Sequence, residues 1–234
     1  VTATLVGYGR HNRLSAAMAH QLTALVEEVE DDPDALMLSL RGTDGAFCAG
    51  FDDDVYAEAP RVVEAFAALS KPTLAIIAGA AADEGLELAL AADIRIASRS
   101  ARFSMGQLER GRLPCFGGTQ RLPRLIGAAH ALRMLLAGDA VEANEAIRLG
   151  LVTYIAPGPR ELVRAAGEIA RSVTARGPVA ARLAKEAVHK GCDLTLDQGI
   201  RLEEDLYALL QTTADRAEGI RAFLEKRKPL FRGA

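Results

Sequence analysis

Short apolar runs alternate with helix-length segments through roughly the first hundred residues, and after that the runs all but stop. The runs are Ala3 to Val6, Ala35 to Leu40, Thr73 to Ile77 and Ile94 to Ala97. Ser15 is placed to cap a helix through about Glu30, with Met18, Leu22, Leu25, Val26 and Val29 at helical spacing and Pro33 to end it. A second helix is predicted over 55–69, followed by Lys71-Pro72. Strands and helices in alternation imply right-handed crossovers and a sheet with parallel pairs. Ser98 to Phe116 reads as irregular, and beyond Gly118 only Leu151 to Ile155 resembles a strand. The segments 128–137, 142–149, 160–175, 178–190, 196–212 and 214–227 read as helices. The shift falls at Pro157-Gly158-Pro159, which divides an α/β core, 1–157, from a helical region, 158–234. Apolar stripes there, Leu202, Leu206, Leu209 and Leu210, then Ile220, Phe223 and Leu224, must be buried on the core or on another copy.

Composition excludes several functions. A net charge of −3 offers no basic footprint for nucleic acid. The basic residues near the end, Arg216, Arg221, Lys226, Arg227 and Lys228, read as a solvated helix face. No apolar run approaches the roughly 18 residues of a membrane span, and no secretory signal pattern is visible. Cys48, Cys115 and Cys192 are odd in number and widely spaced, which points to a reducing compartment, with the cytoplasm as the expectation. His11, His20, His130 and His189 match no ligand spacing, so no metal is expected.

The chemistry concentrates in Ala80 to Asp93, a turn opening into a short helix that Asp83 is placed to cap. Leu86, Leu88, Leu90 and the alanines make this helix apolar almost all round, so it belongs inside the fold. A buried helix start presents unpaired N–H groups, and a second N–H from another loop would complete a cradle for an oxyanion. Glu87 is an acid on this apolar helix. Complementing the helix dipole is worth only about 0.3–1 kcal/mol, whereas an unpaired buried carboxylate is expensive. Asp52, Asp53 and Asp54 read as caps for the following helix, and Gly117-Gly118, lacking the Lys-Ser/Thr of a phosphate loop, reads as a tight turn into another.

Six stretches in order resemble the crotonase superfamily of enoyl-CoA hydratases and isomerases. They are Gly45 to Asp52, Lys71-Pro72, Glu87 to Asp93, Gly117 to Leu122, Ala143 to Val152, and Glu218 to Phe223 with Glu225 to Pro229. The resemblance implies an α/β spiral of ββα units with a helical C-terminal oligomerisation region, a homotrimer or hexamer. It implies an acyl-CoA substrate, with coenzyme A as part of the substrate and no separate cofactor. The thioester carbonyl would be held by the backbone N–H groups of Phe51 and Glu84. One family glutamate maps onto Glu87. The other maps onto Gln107, which can orient water but cannot take up or give up a proton at neutral pH; Glu109 reaches that place only if the loop is re-registered. Asp83-Glu84 stands where the family usually has consecutive glycines, so the Glu84 side chain must point away or crowd and charge the pocket. Arg10, Phe223 and Lys226 are candidates for coenzyme A contacts, the last two toward a neighbouring subunit. Cys115 stands where an aspartate nucleophile would be needed for a dehalogenase-like reaction, which disfavours that route. The resemblance thus implies an enzyme that stabilises a thioester enolate, of the enoyl-CoA hydratase/isomerase kind. One-base chemistry such as double-bond isomerisation and a non-catalytic acyl-CoA-binding protein are the alternatives.

Overall fold

The computed structural model describes residues 1–7, 11–43 and 45–234. After β1 (Thr2–Thr4), helix α1 (Ala16–Asp31) starts where Ser15 Oγ accepts from the Met18 N–H. It buries Ala16, Ala19, Leu22, Val26 and Val29, the three-and-four spacing of one helix face. Its last carbonyls would be orphaned, and Lys71 meets that need: the buried Nζ donates to the carbonyls of Val29 and Asp32, both at 2.6 Å. The Lys71-Pro72 pair therefore ties the end of α1 to the next strand.

Three successive turns of the chain then repeat strand, short strand, helix. The first is β2 (Leu38–Arg41), β3 (Ala46–Cys48) and the pair α2 (Asp53–Glu58) and α3 (Val62–Ala68). The second is β4 (Thr73–Ile77), β5 (Ala80–Ala82) and α4 (Glu84–Leu90); the third is β6 (Ile94–Ser98), β7 (Arg102–Ser104) and α5 (Gly118–Ile126). Helix α6 (Ala128–Ala137), β8 (Val141–Glu142), α7 (Ala143–Leu149) and β9 (Tyr154–Ala156) follow. Among the described residues one sheet pairs in parallel in the order β1-β2-β4-β6-β9, and a second has the order β3-β5-β7-β8, with only its last pair antiparallel. This is the α/β spiral that the resemblance implied.

The first sheet is apolar on both faces, as parallel sheets are. Leu38, Leu40, Ala75 and Ile77 face the main core, while Met37, Leu74, Ile76 and Ile96 face a second cluster. That cluster is closed by Leu162, Ala165 and Ala166 of α8 (Pro159–Thr174). The chain ends in α9 (Pro178–Gly191), α10 (Leu196–Gln211) and α11 (Ala214–Leu224).

Four expectations are corrected. The helix predicted over 55–69 is broken at Ala59-Pro60, because proline supplies no N–H and disfavours helical backbone in the residue before it. Asp83 does not cap α4; no side-chain cap bond exists there, and its carboxylate goes elsewhere. Asp52, Asp53 and Asp54 also make no cap bond to α2: they reach Arg13, Arg112 and the Ala16 N–H instead. In α10, which packs on α9, Leu202, Leu206 and Leu210 of the expected stripe are only half-buried and Leu209 is exposed, while a different stripe, Leu196, Ile200 and Tyr207, also lies exposed.

Candidate active site

Helix α4 begins against β3. A Cβ on Gly85 would collide with the Cys48 carbonyl, so glycine is what lets the helix start approach this closely. All seven residues of α4 are buried. Glu87 is fully buried, and its carboxylate is organised on both oxygens. Oε1 accepts from the N–H groups of Phe116 at 2.8 Å and Gly118 at 2.7 Å; Oε2 accepts from Gln107 Nε2 at 3.3 Å. The Gly117-Gly118 turn thus does more than open α5. Gly117 adopts φ +98°, and a Cβ on Gly118 would lie 2.9 Å from Glu87 Oε1, so the pair delivers an N–H that a bulkier turn could not. Burial pushes the Glu87 carboxyl up to about 7, opposed by the two backbone donors and reinforced by the charge of Glu84.

Gln107 begins a 3₁₀ turn and is buried opposite Glu87. Its Oε1 is the one buried side-chain polar atom without a partner among the described residues. Glu109 is exposed two residues further on and is not re-registered into the site.

Phe51 is buried, with its ring edge-on to Phe116 at 5.1 Å. Its N–H points into the site, but the carboxylate of Glu84 already occupies it, with Oε2 at 3.1 Å. The other Glu84 oxygen accepts from the Tyr56 hydroxyl at 2.6 Å. Of the two outcomes expected for this side chain, the structure shows crowding: it turns in. Burial and the neighbouring Glu84 carboxylate push the Tyr56 phenol up, so it stays protonated and donates to Glu84.

Asp83 holds the preceding turn at φ 52°, ψ −123°, a region that suits glycine. Such strain costs roughly 1–3 kcal/mol and persists where surroundings over-determine it. Here its carboxylate accepts from the Gly106 N–H at 2.6 Å and from Arg110 at 2.8 Å, so it joins the start of α4 to the loop carrying Gln107.

Above Tyr56 opens a cavity of about 390 Å³ lined by Asp53, Tyr56, Arg112, Leu113 and Cys115. Arg112 lies over the Tyr56 ring at 5.3 Å and pairs with Asp53 at 2.8 Å. Cys115 is exposed, and partial burial together with the charges of Glu87 and Glu84 raises its pKa. Cys48 is buried and pushed up to about 12, which makes it a poor nucleophile. The described residues contain no cluster of His, Cys, Asp or Glu that could hold a metal ion. No helix among them is long and apolar enough to cross a membrane.

The structure brings Glu87, Gln107, Phe51 and Glu84 together. It does not bring Phe223 and Lys226 to them: both sit on or just after α11, which packs chiefly on α10. Arg10 lies outside the described residues. Sequence reasoning missed Tyr56, Phe116 and Gly118, whose parts depend on loops meeting in space. The one available signal was the Gly117-Gly118 pair, read there only as a tight turn into a helix.

The sequence model of the family described as "Enoyl-CoA hydratase/isomerase" matches residues 4–234. The crotonyl-CoA hydratase of Syntrophomonas wolfei is 36% identical over 233 residues, covering 94% of this chain and 89% of that protein. The mitochondrial methylglutaconyl-CoA hydratase of Rattus norvegicus is 36% identical over 242 residues, covering 97% and 76%. Among solved structures, the enoyl-CoA hydratase of Bacillus anthracis superimposes with a TM-score of 0.90 at 33% identity, over 100% of this chain and 96% of that one. With the spiral fold and a buried acid at the head of α4, these likenesses make the chain a member of the enoyl-CoA hydratase/isomerase family, an acyl-CoA enzyme of the crotonase fold.

Proposed function

We propose that this enzyme moves a proton at the carbon next to the thioester carbonyl of an enoyl-CoA, with Glu87 as the only proton carrier. The observation that carries this reading is the Glu87 carboxylate itself: buried, held by two backbone N–H groups, shifted to about 7 and faced by an amide. A base poised near neutrality is suited to both taking and returning a proton.

Double-bond migration is the reaction that one carboxyl completes alone. Glu87 takes a proton from Cα of a 3-enoyl thioester, and the electron pair spreads through the double bond to the thioester oxygen. The N–H groups of Phe51 and Glu84 receive the charge that develops there. The same carboxyl returns the proton at Cγ, leaving a 2-enoyl thioester with no net gain or loss. Hydration is the second reading, favoured by the unpartnered buried Gln107 Oε1, which could accept from a water beside the double bond. Without a second acid it would run about 10²–10⁴-fold below a two-carboxyl site. No observation favours a non-catalytic acyl-CoA-binding protein.

We assign the acyl-CoA site to 1–157 and assembly to 158–234, as a homotrimer or hexamer in which the exposed apolar faces of α10 and α11 meet neighbouring copies. Phe223 and Lys226 would then reach coenzyme A across that interface. The three free cysteines suit the cytoplasm.

The test compares 3-enoyl to 2-enoyl isomerisation and crotonyl-CoA hydration in wild type, Glu87→Gln and Gln107→Glu. Wild type should isomerise at ordinary enzymatic rates, about 1–10³ s⁻¹, and Gln107→Glu should gain hydration. Fast hydration by wild type, with no gain in Gln107→Glu, would refute the single-carboxyl reading.

A further inference from the structure

Glu84 has a part that its backbone N–H does not explain. Its side chain is almost fully buried, with Oε2 on the Phe51 N–H at 3.1 Å and Oε1 on the Tyr56 hydroxyl at 2.6 Å. That N–H is the donor assigned above to the thioester oxygen. A single directed N–H serves one strong acceptor at a time, so the carboxylate and a thioester compete for it. The carboxylate is the stronger acceptor, since charge-assisted hydrogen bonds are roughly twice as strong as neutral ones.

The carboxylate also has somewhere else to go. A Cβ on Gly50 would lie 2.9 Å from both Glu84 Oε2 and Arg13 Nη1, which puts the guanidinium and the carboxylate on the same side of that glycine. Arg13 is anchored through Nε to Asp52 at 2.9 Å, with Nη1 turned toward Gly50. Gly50, at φ +124°, carries no side chain that would crowd the two groups.

We propose that Glu84 sets the affinity of the site: in the free protein its carboxylate occupies the Phe51 donor of the oxyanion hole, and an acyl-CoA binds by displacing it toward Arg13. This rests on the oxyanion-hole assignment in the proposed function. The apparent affinity is then the intrinsic affinity multiplied by the fraction of molecules whose hole is open, and the remainder of the acyl-CoA must supply the binding that opens it. Glycine at this position would bind without that competition.

Calorimetric titration with butyryl-CoA, which has no double bond to react, tests this on wild type, Glu84→Ala and Glu84→Gln, each checked for native circular dichroism. Glu84→Ala should bind about 10–100-fold tighter than wild type, the worth of one hydrogen bond to a charged group. Glu84→Gln keeps the shape with a neutral acceptor and should fall between them. The KM for an enoyl-CoA should fall in the same order. If neither variant binds butyryl-CoA more tightly than wild type, including the case in which none of the three binds, the displacement is refuted. The proton-carrier reading fails separately, through turnover that survives Glu87→Gln, and that result leaves the order of affinities to judge Glu84 alone.

Discussion

Helix α4 buries all seven of its residues, whereas α10, with sixteen, buries none. The first is enclosed by β3, β5, α3 and α5 of its own chain, so its side chains answer to a single molecule. The second packs on α9 and turns Leu196, Ile200 and Tyr207, which share a helix face, to the outside. Tyr207 is 62% exposed and Phe223 on α11 is 81% exposed, more apolar surface than a lone tail would keep. The candidate catalytic groups are thus enclosed within one chain, while α10 and α11 leave the apolar faces to which the proposed assembly is assigned.

That contrast can be broken by substitution. Phe66 is fully buried in the main core, so Phe66→Ala should lose about 3–5 kcal/mol of stability in urea unfolding. The loss should be the same at every protein concentration. Replacing both Ile200 and Tyr207 with Asp should leave the fold intact by circular dichroism but remove the dependence of Tm on protein concentration expected for an assembly; an unchanged sedimentation coefficient would sink the assembly role of this face. The smallest effect belongs to the cap of α10. Thr195 Oγ1 accepts from the Gln198 N–H while Gln198 Oε1 accepts from the Thr195 N–H, a reciprocal pair. Thr195→Ala should cost about 1 kcal/mol by denaturant unfolding, without altering turnover.

The strands of the first sheet, the Ser15 cap and the acid on α4 were legible in the sequence because each rests on local signals: an apolar run, a cap residue, an acid among alanines. The second sheet was not. Ala46–Cys48, Ala80–Ala82 and Arg102–Ser104 are three residues each, too short for a period, and they become strands only by pairing with one another. Asp83 looked like a cap from its place before a helix, yet a backbone at φ 52° aims its carboxylate at Gly106 and Arg110 instead. The inward turn of Glu84 depends on Phe51 and Tyr56, about thirty residues away in sequence, and no local pattern could announce it.

The raised pKa of Glu87 gives pH a defined sign. Between the ordinary glutamate value and about 7 the folded protein holds a proton that the unfolded chain has released, so this group lowers stability as pH rises through that window and not beyond it. Activity should move the other way, since only the ionised carboxyl can take the proton from Cα. The decisive measurement is therefore the rate of double-bond migration against pH for wild type and Glu87→Gln. Glu87 as proton carrier predicts a wild-type rate that climbs and levels above about 7, and a Glu87→Gln rate lower by about 10²–10⁴ with no such rise. A Glu87→Gln enzyme with the wild-type rate and the wild-type profile would contradict it.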